Sequence, residues 1–123
     1  MFKRKRDNNI LGHLYQDGEI IIKQGTVGDC LYVIQQGKVE VVRESDKKEI
    51  IIAELGEKEF FGEMALFEKD VRSCTVRAKG DTKVLTLDKK GLYKTIQKDP
   101  SLAFRLLEKM SNRLREVDKK ITY

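Results

Sequence analysis

Apolar residues between positions 19 and 87 fall in short runs, punctuated by glycine at 18, 25, 28, 37, 56, 62 and 80. Residues 19–23 read E-I-I-I-K and residues 30–35 read C-L-Y-V-I-Q. Across 38–43, Val39 and Val41 alternate with charged neighbours, the period of a strand with one buried face. The isoleucine-rich run 49–55 and the runs 71–79 and 82–87 continue the pattern. Short β-rich runs divided by glycine turns predict an antiparallel sandwich or barrel. No helix of crossover length separates them, which argues against a parallel α/β sheet.

The pattern changes at Asp99-Pro100. Asp is a good N-cap, and Pro suits the first helical turn. Leu102, Leu106, Met110, Leu114, Val117 and Ile121 then recur at spacings of four and three, one apolar stripe on a long helix. From 100 to 121 that helix runs roughly 33 Å. Its stripe packs on the barrel, and its length also suits pairing of the distal half with another subunit. Residues 88–98 predict a short helix burying Leu92, Tyr93 and Ile96. Residues before Tyr15 predict another, with Ile10, Leu11 and Leu14 inward and His13 as a partly exposed helix residue.

The 123 residues suffice for one domain with a real core and no metal or disulfide staple. Charged residues make up 37%, 25 basic against 20 acidic, so the surface is mixed and well solvated. Lys3, Arg4, Lys5 and Arg6 carry most of the excess: without them the net charge of +5 falls to +1. This is a local tail, read as solvated, with contact to phosphates or acidic lipid heads as the second reading. No apolar run approaches the ~20 residues of a membrane span, and no apolar stretch follows the basic start as in an export signal. Cys30 and Cys74 form no Cys-x-x-Cys pair, so a reduced, cytoplasmic setting is expected.

The stretch with chemistry is Phe61-Gly62-Glu63-Met64-Ala65-Leu66, followed by Val71-Arg72-Ser73-Cys74. Gly62 permits a turn that a side chain blocks. Residues 63–67 suit one helical turn, whose first N–H groups are unpaired and attract anions. Arg72 offers a rigid fork of donors for a phosphate, and Glu63 an acceptor for a sugar hydroxyl. Phosphate and ribose hydroxyl in one small pocket describe a nucleotide. A glycine turn beside a surface Glu–Arg pair has the same residues, so on these residues alone both readings stay open.

The sequence resembles the cyclic nucleotide-binding domain family, found in catabolite-activator-type regulators, cyclic nucleotide-dependent kinases and cyclic nucleotide-gated channels. Two motifs carry the likeness. The first is Gly25-Thr26-Val27-Gly28-Asp29-Cys30-Leu31-Tyr32-Val33-Ile34 with Gly37-Lys38-Val39-Glu40-Val41; the second is the Phe61–Cys74 pair of segments, similar to the family's phosphate-binding cassette. The likeness runs from about residue 17 to 120. It implies a mainly β fold with flanking helices, an antiparallel β-roll or jelly-roll barrel plus a long C-terminal helix. The expected segments are a basic tail and helical stretch at 1–16, the β-roll with a short helix at 17–98, and a lid or dimerisation helix at 99–123.

The resemblance also implies roles. Arg72 pairs with the cyclic phosphate, and Glu63 binds the ribose 2′-OH. Backbone N–H groups near Gly62, Met64 and Ala65 cap the phosphate, and Ser73 adds a donor. Val41 and Ile52 line the base, and the helix near Val117-Asp118 closes over it. Val71 stands where the family often has Pro, and Cys74 where it usually has Ala; both changes leave the phosphate site intact. Asp118 is either a solvent-facing residue or a reader of a guanine edge. The ligand expected is cyclic AMP before cyclic GMP, and the partner a second copy or another protein at the final helix.

A single histidine rules out a His-based metal site within one chain, and the Gly-x-Ser-x-Gly elbow is absent. No catalysis, metal or cofactor is expected. No DNA-reading segment follows the helix, so the chain reads as a free-standing sensor or as the sensor fragment of a transcriptional regulator. A protein-interaction scaffold with a vestigial pocket is the remaining alternative.

Overall fold

The protein was analysed as a computed structural model. It describes residues 12–63, 65 and 71–120, with the side chains of 113, 114 and 116–120 excluded. Six strands form one antiparallel sheet: β1 His13–Tyr15, β2 Ile20–Ile22, β3 Leu31–Glu44, β4 Glu49–Leu55, β5 Phe60–Phe61 and β6 Thr75–Leu87. Their order is β1-β6-β3-β4, with β2 also on β6 and β5 also on β3. Two helices follow, α1 Lys89–Lys98 and α2 Ser101–Lys120. The chain divides into two units between Asp88 and Lys89, so α1 groups with α2.

The β-roll with a long C-terminal helix is therefore present, with instructive differences. The runs 30–35 and 38–43 are one strand, as are most of 71–79 and 82–87. Gly37 and Gly80 take positive φ, 91° and 77°. They let the backbone bend where the sequence suggests a break. The β3–β6 register shifts on either side of Gln36, and such shifts coil a long strand without ending it. Val71 makes only an isolated bridge, to Val27, and the strand proper begins at Thr75.

The expected N-terminal helix is corrected at 13–15. His13, Leu14 and Tyr15 pair with Val84, Lys83 and Thr82 of β6. Leu14 faces solvent at 56% exposure, whereas Tyr15 packs on the core. A period-2 pattern this short is easily read as part of a helical stripe. Ile10 and Leu11 lie outside the described residues.

The register explains the two faces of the sheet. Val39 opposes Ala78 and Leu55, and Val41 opposes Val76 and Ala53. Ile22, Ile34, Val39, Phe61, Val76 and Val84 form the buried cluster. On the other face, Arg77 bridges Glu40 and Glu49 at 3.1 Å each, and Lys79 bridges Glu54 at 2.6 Å. Exposed pairs of this kind add little stability singly but keep that face wet.

Asp99 caps α2 as expected: its Oδ1 accepts from Ser101 N at 3.2 Å and Ser101 Oγ at 2.5 Å. Leu92, Leu102 and Leu106 are buried. Tyr93 is not; it is 66% exposed, which corrects its placement on the buried face of α1. Leu114, Val117 and Ile121 lie outside the described side chains.

A polar knot joins the ends of β2, β3 and β6. The Gln24 side chain acts as a strand residue: Nε2 donates to Glu44 O at 3.0 Å, and Oε1 accepts from Glu44 N at 2.8 Å. Thr75 Oγ1 accepts from Gln24 N at 2.9 Å and donates to Glu44 Oε2 at 2.8 Å. Lys23 Nζ sits 3.0 Å from Glu44 Oε1. The Thr75 hydroxyl and then the Lys23 ammonium hold the Glu44 carboxyl below its ordinary value of 4.5.

Two outcomes follow from this geometry. A Cβ on Gly37 meets Asp81 O at 2.5 Å and Thr82 Cα at 2.9 Å, whereas one on Gly80 meets nothing within 4 Å. Gly80→Ala should cost about 1 kcal/mol for its φ alone, and Gly37→Ala about 1–3 kcal/mol more for overlap, measured by urea unfolding. For Glu44 the native pKa is depressed, so its stabilisation is complete above about pH 4.5 and fades as pH falls through the lowered value. The melting-temperature gap between wild type and Glu44→Gln should narrow below that pH; a constant gap down to pH ~3 refutes the linkage.

Candidate functional site

The site is built around one buried arginine. The loop after β2 holds its backbone: Gly25 N donates to Arg72 O at 2.9 Å, and Arg72 N donates to Thr26 O at 2.7 Å. Gly25 makes that turn at φ 91°. With its backbone pinned, the Arg72 side chain runs inward and is only 8% exposed. Nη1 donates to Gly62 O at 2.9 Å and Nη2 to Cys30 O at 3.0 Å. Its guanidinium carbon lies over the Tyr32 ring, 5.8 Å from the centroid.

Glycine makes room for this. A Cβ on Gly28 would fall 2.2 Å from Arg72 Nε and 2.4 Å from its Cζ. Gly62 takes φ 79°, and a Cβ there would lie 2.7 Å from Arg72 Nη1. The close approach of backbone to guanidinium, as well as the turn, requires both residues to lack a side chain.

The next residue after the arginine-bound carbonyl is Glu63, which has helical backbone and is 2% exposed. Ala65 is helical and equally buried. The structure thus brings Gly62, Glu63, Ala65 and Arg72 into one locality with a helical turn. A buried arginine bound to Gly62 O, with a buried glutamate next in the chain, suits an anionic ligand that also carries hydroxyls.

The other expected residues spread wider. Ser73 follows Arg72 and is exposed; its Oγ lies 3.9 Å from Cys74 Sγ. Val41 is half-buried on the core face of β3. Ile52 falls in the β4 bulge, between Ala53 paired with Val41 and Ile51 paired with Val42, and is 50% exposed. Met64 and the Asp118 side chain lie outside the described residues. Gly28, Cys30 and Tyr32 belong to the first motif, and the structure adds what the motif does not tell: all three lie against Arg72. Their signal was the Gly28–Tyr32 spacing, which says nothing of a distant arginine.

His13, the sole histidine, stands exposed on β1 rather than on a helix. Among the described residues no group of three His, Cys, Asp or Glu could hold a metal ion, and no helix is long and apolar enough to cross a membrane.

Comparison with known proteins agrees with this geometry. The family model for the cyclic nucleotide-binding domain matches residues 13–99. The chain is 37% identical over 106 residues to the cyclic AMP receptor protein of Thermus thermophilus, covering 85% of this chain and 49% of that protein. It is 40% identical over 76 residues to the cAMP-dependent protein kinase regulatory subunit of Schizosaccharomyces pombe, covering 62% of this chain and 18% of that one. The crystal structure of the Thermus thermophilus catabolite activator protein superposes with a TM-score of 0.73 at 36% identity, over 88% of this chain and 51% of that. The chain therefore spans about half the length of the Thermus relative or less of the others. On its matched residues and its arginine-centred cassette, the chain belongs to the cyclic nucleotide-binding domain family.

Proposed function

We propose that this chain is a cyclic nucleotide sensor that prefers cyclic AMP and passes ligand binding on through α2. The observation that carries the reading is the buried Arg72 guanidinium against Gly62 O, one residue from buried Glu63. Arg72 pairs with the cyclic phosphate through donors beyond the two given to carbonyls. Glu63 accepts from the ribose 2′-OH. Backbone N–H groups of Gly62, Met64 and Ala65 meet the phosphate oxygens, and Ser73 adds a hydroxyl donor. Val41, Ile52 and Asp118 complete the set on the base side. The preference for cyclic AMP is supported by the names of the Thermus and fission-yeast relatives. Nothing in this set performs bond-making chemistry, so the role is binding, not catalysis.

Output through α2 is supported by its surface. Phe104 and Leu107 lie three residues apart and are 74% and 65% exposed, an apolar face beyond the buried Leu102 and Leu106. A face like this fits a second copy or a partner protein. A specific observation favours one further reading: coverage of about half of the Thermus protein suits the sensor segment of a longer regulator.

Isothermal titration of cyclic AMP and cyclic GMP tests the ligand. Wild type should bind in the micromolar range with cyclic AMP tighter. Arg72→Ala should lose about 2–5 kcal/mol of affinity and also melt lower, because the carbonyls of Gly62 and Cys30 lose charged donors. No heat with either nucleotide overturns the reading and points to a vestigial pocket. For the output step, hydrogen exchange across 101–120 should slow on saturating cyclic AMP, with a matching change in sedimentation if a second copy is the partner. Identical exchange with and without nucleotide sinks transmission through α2.

A further inference from the structure

The bed on which Arg72 lies contains one aromatic ring. Tyr32 stands opposite Phe61 in the β3–β5 register, and the two rings stack at 5.1 Å between centroids, 9° from parallel. Phe61 is buried, so the Tyr32 ring is fixed from behind by the core. Burial first, then the neighbouring Cys30 thiol, raises the pKa of the Tyr32 hydroxyl. A cation within about 6 Å of a ring centroid is attracted by the ring quadrupole, and the guanidinium sits 5.8 Å away. Carbonyl acceptors at Gly62 and Cys30 set two donors, but two bonds at one end leave the guanidinium free to tilt. The ring restricts that tilt, and the bare Gly28 backbone leaves the space the guanidinium fills.

We infer that Tyr32 is a positioning residue for phosphate recognition: its ring, held by Phe61, sets the plane of the Arg72 guanidinium from which the remaining donors meet the ligand. This rests on the nucleotide reading above. Tyr32 touches no part of the ligand in this scheme. Its effect passes wholly through Arg72, so it falls equally on any ligand with the same cyclic phosphate, whatever its base. Affinity comes from a preset donor fork that loses little freedom on binding.

The test compares wild type, Tyr32→Phe, Tyr32→Leu and Gly28→Ala. The Arg72 Nε–H resonance is followed by NMR without nucleotide, and cyclic AMP and cyclic GMP are titrated calorimetrically. Tyr32→Phe keeps the ring and should keep the ring-current shift of that resonance, with affinity within about threefold of wild type. Tyr32→Leu should lose the shift and weaken both nucleotides about tenfold, leaving their affinity ratio unchanged. Gly28→Ala forces the guanidinium aside without a φ conflict, and should weaken both nucleotides and lower the melting temperature, because the carbonyls of Gly62 and Cys30 lose their charged donors. If Tyr32→Leu does not fold, Tyr32→Phe decides the matter: loss there of the Arg72 ring-current shift, or of affinity beyond about threefold, overturns the ring's role. The inference is overturned if Tyr32→Leu keeps full affinity, if it keeps the Arg72 shift, or if it changes the ratio of the two nucleotides. If wild type binds neither nucleotide, the nucleotide reading itself falls, and the positioning role falls with it. The arginine shift then reports separately whether the ring holds the guanidinium.

Discussion

One buried guanidinium joins three parts of the chain that are far apart in sequence. Arg72 links the carbonyls of Cys30 and Gly62, while its own backbone is stitched to Gly25 and Thr26. Each charged hydrogen bond to a carbonyl contributes about 1.5–3 kcal/mol against the cost of taking the charge out of water. That arrangement is worth keeping only if the carbonyls are fixed beforehand. The fold supplies this: Cys30 enters the long strand β3, and Gly62 leaves β5, which is paired to the same strand at Tyr32 and Val33. The arginine is thus placed by sheet register, and the glycine turns are the means by which register reaches it.

The same logic assigns a use to the polar knot of Gln24, Glu44 and Thr75. It closes the ends of β2, β3 and β6 two residues beyond Ser73. Arg72 therefore lies between two anchors, the Val27–Val71 bridge on one side and Thr75 on the other. A segment held at both ends has little freedom to lose when a ligand arrives, which favours affinity over adaptability.

Much of this was legible in the residues, and the illegible part has a common cause. Most of the strands, the Asp99 cap and the meeting of Arg72 with the Gly62 turn follow from local pattern or from motif. The fusion of 30–35 with 38–43 does not, because a glycine with positive φ reads the same whether the strand ends or bends. The strand at 13–15 is too short for its period to show: three residues fit a helix or a strand equally. Periodicity puts Tyr93 on the inward face of its helix, yet burial depends on what lies across from it, and Tyr93 is exposed. Within the site, the sequence shows that Gly28 and Tyr32 are spaced as the family spaces them. Only the fold shows that both touch the arginine forty residues on.

Affinity and base selectivity are separated by this architecture. In the proposed reading, Arg72, Glu63 and the turn at Gly62 would meet chemistry that cyclic AMP and cyclic GMP share, a cyclic phosphate and a ribose hydroxyl. Strengthening them tightens both ligands alike. Val41 and Ile52 are apolar and offer a base no hydrogen bond, so in that reading they would reward burial of either purine and reject neither strongly. Purines that differ only in their polar edges are told apart by groups that pair with one edge and are left unpaired by the other. Among the residues proposed for the base side, Asp118 alone carries such a group. It lies in α2, the same element proposed to carry the output. In the proposed reading a carboxylate that accepts from a guanine edge would favour cyclic GMP, so a preference for cyclic AMP requires Asp118 to stay in solvent and leaves the choice of base to groups other than these.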